Sequence, residues 1–253
     1  MTAFVIIANG PFLYRDIILE AIKNKVVIVL DGALNKLRWL DPSRIDCILG
    51  DFDSVDTAAQ HFWGITQTYD QITEASKPYH GAHRTLIVPA KNQNKTDLEK
   101  AIDYCDTHEA SSITIVCATG GRADHHEAVM RAVRHAYRKK RVIMLHTDQQ
   151  SLRYAKDEIV TFSGHKNDYC GFVSTDSGYC SSQGLLYPCD KHKESFCNRL
   201  TADQASIKVH GEALLFLPPQ LISQFNFMSK SDLERLELLC HDAKNNETRF
   251  LKV

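Results

Sequence analysis

The sequence predicts an α/β fold in which an N-terminal three-layer domain on a parallel sheet is followed by a C-terminal β-sandwich. Three observations carry this. Over the first 147 residues, short and fully apolar runs alternate with amphipathic segments of helical period, the pattern of parallel strands covered by helices on both faces. From about residue 150 helical periodicity stops, and β-prone pieces appear between Gly, Ser and Asp turns, as in a small antiparallel sandwich or barrel. The composition, 43% hydrophobic and 24% charged over 253 residues, is that of a globular chain with room for one large domain or two ordinary ones. The expected boundaries are 1–147 for the α/β domain and 148–217 for the sandwich. A tail with a short helix fills 218–253.

Each element has a local reason. Phe4-Val5-Ile6-Ile7-Ala8 is a buried strand stopped by Asn9-Gly10-Pro11. Asp16 to Lys23 places Ile17, Ile18, Ala21 and Ile22 at helical spacing. Val26 to Leu30 and Ile45 to Leu49 are further strands, cut off by Asp31-Gly32 and Gly50-Asp51. Residues 55–85 carry little pattern, and Thr85 to Val88 is a fourth strand. Thr96 with Glu99 forms a capping box for a helix whose stripe is Leu98, Ala101, Ile102 and Cys105. Ile113 to Cys117 is a strand broken by Gly120-Gly121, and Asp124 with Glu127 can cap the next helix, with Ala128, Val129, Ala132, Val133 and Ala136 on its core face. Val142 to Leu145 closes this half. In the second half, Glu158–Phe162, Cys170–Val173, Ser206–His210 and Ala213–Leu217 read as strands, and Ser231 with Glu234 opens the tail helix.

Thirty basic and thirty-one acidic residues leave a formal charge of −1, so no global field favours nucleic acid as a partner. The basic run Arg138-Lys139-Lys140-Arg141 reads as a helix end. No apolar run reaches membrane-spanning length. The opening residues read as a strand rather than a signal peptide, so a cytoplasmic location is expected. The eight cysteines include no CxxC pair and are expected as reduced thiols, with Cys170, Cys180, Cys189 and Cys197 as small packing residues.

In an open parallel sheet, ligands bind outside the carboxyl ends of the strands, and polar residues gather there. Asn9 follows the first strand, Asp31 the second, and Asp51 and Asp53 the third, within Gly50-Asp51-Phe52-Asp53-Ser54. In extended backbone Asp51 and Asp53 would point the same way with Phe52 opposed. Two adjacent carboxylates either form an ordinary turn or hold a hard cation such as Mg²⁺. Asp97, in the first turn of its helix, has a sufficient reason in the helix dipole. Gly120-Gly121-Arg122 before a helix offers an anion backbone N–H groups, positive potential and a guanidinium, while His125 and His126 read as surface or capping residues. Neither GxxxxGK[ST] nor GxGxxG occurs.

Taken in order, Asp31-Gly32-Ala33, Gly50-Asp51-Phe52-Asp53-Ser54, Thr96-Asp97, Gly120-Gly121-Arg122-Ala123-Asp124-His125 and Gly184-Leu185-Leu186-Tyr187 resemble the thiamine pyrophosphokinase family over roughly residues 4–217. The resemblance implies a homodimer with active sites at its interface, and transfer of the terminal diphosphate of ATP to the hydroxyl of thiamine, releasing AMP. It implies that Asp51, Asp53 and Asp97 hold Mg²⁺. Asp31 joins them as a catalytic residue, and either Asp31 or Asp97 is a candidate to accept the hydroxyl proton. Asn9, Gln93, Asn94, Gly120, Gly121, Arg122 and Asp124 would line the nucleotide and phosphate region; Tyr187 and Asn198 would meet the acceptor. Where the family usually carries Asp-x-Asp before Thr-Asp, this chain has Asn92 and Asn94. Where it usually carries Trp after Gly-Leu-Lys, this chain has Leu186 and Tyr187, and the later Ser-Asn corresponds to Cys197-Asn198. Two alternatives follow from these differences: a diphosphokinase for another heteroaromatic alcohol, such as a hydroxymethylpterin, and a non-catalytic sensor of nucleotide or thiamine diphosphate.

Overall fold

The computed structural model describes residues 2–137 and 142–219. The basic run 138–141 and the tail helix expected after residue 230 lie outside the described residues. The described chain contains α/β and antiparallel β parts, in that order. It divides into two compact units, and the crossing falls between Tyr154 and Ala155, inside one strand.

In the first unit the strands are β1 (Thr2–Ile7), β2 (Val26–Leu30), β3 (Cys47–Gly50), β4 (Tyr79–His80), β5 (Leu86–Pro89), β6 (Ala110–Val116) and β7 (Val142–His146). Their spatial order is β4-β5-β3-β2-β1-β6-β7, parallel throughout except for the edge pair β4–β5. The chain therefore builds outward from β1 through β2, β3 and β5, then returns to the other side of β1 with β6. Helices α1 (Arg15–Ala21), α2 (Thr57–Trp63), α3 (Asp97–Thr107) and α4 (Ala123–Tyr137) supply the connections.

Strand residues alternate between the two faces. Val5, Ile7, Val27 and Val29 join Ile18 and Ala21 of α1, and Ile22 just after it, in one core that also holds Leu34, Leu37, Phe52, Trp63 and Ile72. Phe4, Ile6 and Ile28 are buried toward the opposite face, where α3 packs against β1, β2, β3 and β6. The expected stripe of α3 is buried at all four positions, Leu98, Ala101, Ile102 and Cys105, and the Thr96–Glu99 capping box is present in both directions.

The unpatterned stretch 55–85 holds α2, capped by the Asp56 carboxylate accepting from the Ala59 N–H at 2.7 Å and closed by Gly64 in the left-handed conformation. At seven residues it is too short to show a period. Asp124 differs from its expected capping role. It lies inside the first turn of α4, and its carboxylate is taken by Arg122 and the His125 N–H.

The second unit is antiparallel. The later part of β8 (Ser151–Ser163), together with β9 (Tyr169–Gln183), β10 (Glu194–Arg199) and β11 (Gln204–Leu217), gives the order β8-β11-β9-β10. The sequence suggested short pieces, but β8, β9 and β11 run 13, 15 and 14 residues. The turn-like Gly211 is a bulge rather than a break: the β9–β11 register shifts between His210 and Glu212 and pairing resumes beyond it. Ala205, Ile207, Val209, Ala213, Leu215 and Leu217 alternate into the interior with Val160, Phe162, Phe172, Leu185 and Leu200. Cys170, Cys180 and Cys189 are buried there as packing thiols, whereas Cys197 is exposed.

Candidate active site

At the carboxyl ends of β2 and β3 and the start of α3, Asp31, Asp51 and Asp97 bring carboxylate oxygens within 4.8 Å of one another. Among the described residues this is the one such group of His, Cys, Asp or Glu. Asp31 opens a 3₁₀ segment, Asp31–Lys36, immediately after β2. One carboxylate oxygen accepts from the Gly32 N–H and the other from the Phe52 N–H at 3.0 Å. Gly50 permits this approach, since a Cβ there would stand 2.7 Å from that of Asp31. Asp51 accepts from the Gln93 side-chain amide at 2.9 Å. Asp97 Oδ1 accepts from Lys100 Nζ at 2.9 Å, and the same ammonium donates to the Ala90 carbonyl at 2.8 Å.

Asp53 does not join the three oxygens. Phe52 has φ of 63°, so the backbone is not extended there and residues 51 and 53 do not share a side. The Phe52 ring is buried in the core, Asp51 is buried, and Asp53 is exposed with its carboxylate accepting from Ser54 Oγ at 2.7 Å. Its charge still reaches the cluster. Burial first, then Asp97, Asp51 and Asp53, push the Asp31 carboxyl up to about 7 against the pull of the Gly32 N–H. Burial also raises Asp97, opposed by Lys100.

A carboxyl whose pKa rises on folding contributes stability at low pH that is lost as pH climbs through the folded value. Without divalent cations, the stability of the parent relative to Asp31→Asn is therefore expected to fall between about pH 4 and 7 and then level off. Urea denaturation of both proteins across that window checks the slope. A pH-independent difference would contradict it, because lost hydrogen bonds to Gly32 and Phe52 give only a constant offset.

The other expected residues occupy distinct places. Asn9 is exposed at the end of β1, with its amide nitrogen 2.1 Å from where a Cβ of Gly32 would stand. Asn94 is exposed, and its N–H donates to the Asn92 side chain at 2.9 Å. Gly120 and Gly121, with φ of 94° and 74°, make the turn after β6 beside Pro11. Arg122 is paired within the chain: its guanidinium forms two hydrogen bonds with the exposed Asp124 carboxylate, one of them 3.1 Å. Lys100 escaped the sequence reading. For Lys100 the signal was available, since it stands three residues after Asp97 on one helix face.

In the second unit, Tyr187 is 65% exposed and Asn198 fully buried. The Asn198 carbonyl oxygen accepts from the N–H groups of Tyr187, at 3.1 Å, and Arg199, at 2.9 Å. Its amide donates to the Tyr187 carbonyl at 2.7 Å and to Ser195 Oγ at 3.0 Å. All its hydrogen-bonding capacity is thus spent inside the unit, and Asn198 fixes the backbone of Tyr187. Asn198→Ala is expected to cost about 2 kcal/mol by leaving buried backbone groups unpaired. Urea unfolding measures it, and a loss too small to resolve would contradict this bracket.

The model of the family described as "Thiamin pyrophosphokinase, catalytic domain" matches residues 19–145, which include Asp31, Asp51, Asp97 and the Gly120-Gly121 turn. Solved structures of similar fold include thiamine pyrophosphokinase from Bacillus subtilis, 20% identical with a TM-score of 0.69, covering 87% of this chain and 100% of that one. Others are the yeast enzyme, 14% identical with a TM-score of 0.66 and 87% of each chain covered, and that of Candida albicans, 16% identical with 0.65, covering 87% and 90%. No curated protein matches the chain. Among the described residues no helix is long and apolar enough to cross a membrane.

Proposed function

The chain belongs to the thiamin pyrophosphokinase family, and from that premise we propose that it transfers the terminal diphosphate of Mg²⁺-bound ATP to the hydroxyl of thiamine, giving thiamine diphosphate and AMP. The observation that carries this is the convergence of Asp31, Asp51 and Asp97 at the strand ends, inside the matched region.

The donor set fits Mg²⁺. It is all oxygen, it is anionic, and three carboxylates this close are mutually repulsive without a cation. Asp51 and Asp97 would hold the ion, with exposed Asp53 adding charge at the rim; bound there, Mg²⁺ would offset the charge on the phosphates. Gln93 orients Asp51, and Lys100 orients Asp97. Asp31, anchored through both oxygens by the Gly32 and Phe52 N–H groups beside Asp51 and Asp97, would be placed to take the proton of the incoming hydroxyl. Arg122 and the Gly120-Gly121 turn would bind phosphate oxygens once the guanidinium releases Asp124. The exposed ring of Tyr187, on a backbone fixed by Asn198, suits stacking on a cationic heteroaromatic ring. Cytoplasmic location and homodimerisation belong to the same proposal and rest on the resemblance.

Tyr187, standing where the family usually carries Trp, also favours a second reading: the same chemistry on another heteroaromatic alcohol. Comparing kcat/KM for thiamine and a hydroxymethylpterin with Mg²⁺ and ATP tests the acceptor. Thiamine is expected to be preferred; a better pterin would replace it, and turnover of neither would leave the sensor reading.

A further inference from the structure

We propose that Lys36 is a phosphate-binding residue, held on the loop that follows β1, where the strand order reverses between β1 and β6. This rests on the nucleotide-dependent reading above and adds a residue that the motifs do not assign.

The first support is charge. At these strand ends Lys100 is paired with Asp97, Lys95 with Asp103 and Arg122 with Asp124. Lys91 is drawn aside to the carbonyl and ring of Tyr69. Exposed Lys36 instead donates to two neutral carbonyls, those of Asn9 at 3.3 Å and Gly10 at 3.2 Å, with its ammonium 5.4 Å from the centre of the Phe12 ring. Carbonyl dipoles and a ring face hold a cation in place without neutralising it. Its full charge remains for an anion.

The second support is position. The order β2-β1-β6, with β6 arriving from the far edge, makes the crevice above β1 and β6 the switch point of the sheet, where open α/β folds receive ligands. Gly10 donates its N–H to the Cys117 carbonyl at 2.7 Å and so ties the ends of β1 and β6 together. Pro11 lies against Gly120. Lys36 is held on the carbonyls of Asn9 and Gly10, in the same loop as Pro11, the residue that lies against the glycine turn. The Asn9 amide lies against Gly32, the neighbour of Asp31, so the same loop joins the ammonium to the acidic cluster. A polyphosphate could have its cation-bound part at Asp51 and Asp97 and another phosphate on Lys36.

The test titrates purified full-length protein with Mg²⁺ and the α,β-methylene analogue of ATP, whose bridging carbon blocks diphosphate transfer. Lys36→Met is expected to weaken binding at least about tenfold, as for loss of a charged hydrogen bond. Lys36→Arg should stay within about threefold of the parent, because the charge is kept. Lys23→Met, which removes a surface pair with Glu20, should bind as the parent does. Adenosine, which has no phosphate, should respond to Lys36→Met by less than about threefold. Unchanged affinity of Lys36→Met for the analogue would overturn the proposal, as would an equal loss for adenosine. Binding is read without turnover, so failure to use thiamine counts against the acceptor and not against Lys36.

Discussion

Asp51→Asn is expected to lower turnover by about a thousandfold or more, the several kcal/mol that a misplaced metal ion withdraws from a phosphoryl-type transition state. The same substitution should leave the cation-free protein as stable as the parent or slightly more so. It removes one of three like charges whose oxygens lie within 4.8 Å, while the amide oxygen can still accept from Gln93. Activity and the thermal stabilisation by Mg²⁺ should disappear together. Steady-state rates and melting curves with and without Mg²⁺ check this. Retained activity would remove Asp51 from the metal site, and lost activity with a collapsed melting temperature would make its role structural.

Phe52→Ala is expected to be the most damaging change in the motif for the fold, at about 3–5 kcal/mol, the usual cost of deleting a buried phenyl ring. Phe52 is 1% exposed, in the core with Trp63, Leu34 and Ile48, and its N–H holds Asp31. The cavity would open directly beneath the acidic cluster, so urea stability and Mg²⁺ affinity should fall in parallel. A stable variant that binds Mg²⁺ normally would show that the motif's aromatic does not couple core to site.

The strands and α3 were legible because their causes are local. Continuous apolar runs name buried parallel strands, and Thr96 with Glu99 names a helix start. Asp56 and Gly64 bracket α2 by the same logic, but one helical turn of apolar residues gives no period to find. The long strands of the second unit were misjudged as short because a glycine at a bulge and a glycine in a turn look alike in sequence. The site was legible as a set of residues and less so as an arrangement. The positive φ of Phe52 turns Asp53 out of the cluster and leaves Asp31 in it. The Arg122–Asp124 and Asn198–Tyr187 hydrogen bonds depend on side-chain geometry that spacing does not encode. Spacing therefore shows neither that Arg122 is paired with Asp124 nor that Asn198 is satisfied within its own unit.

Most direct is the stoichiometry of the reaction itself: AMP and thiamine diphosphate formed by the purified protein from ATP, Mg²⁺ and thiamine. Equal amounts of both, abolished by chelating the cation, are the expected result. ADP with thiamine monophosphate, or no thiamine product while ATP is bound, would contradict the assignment.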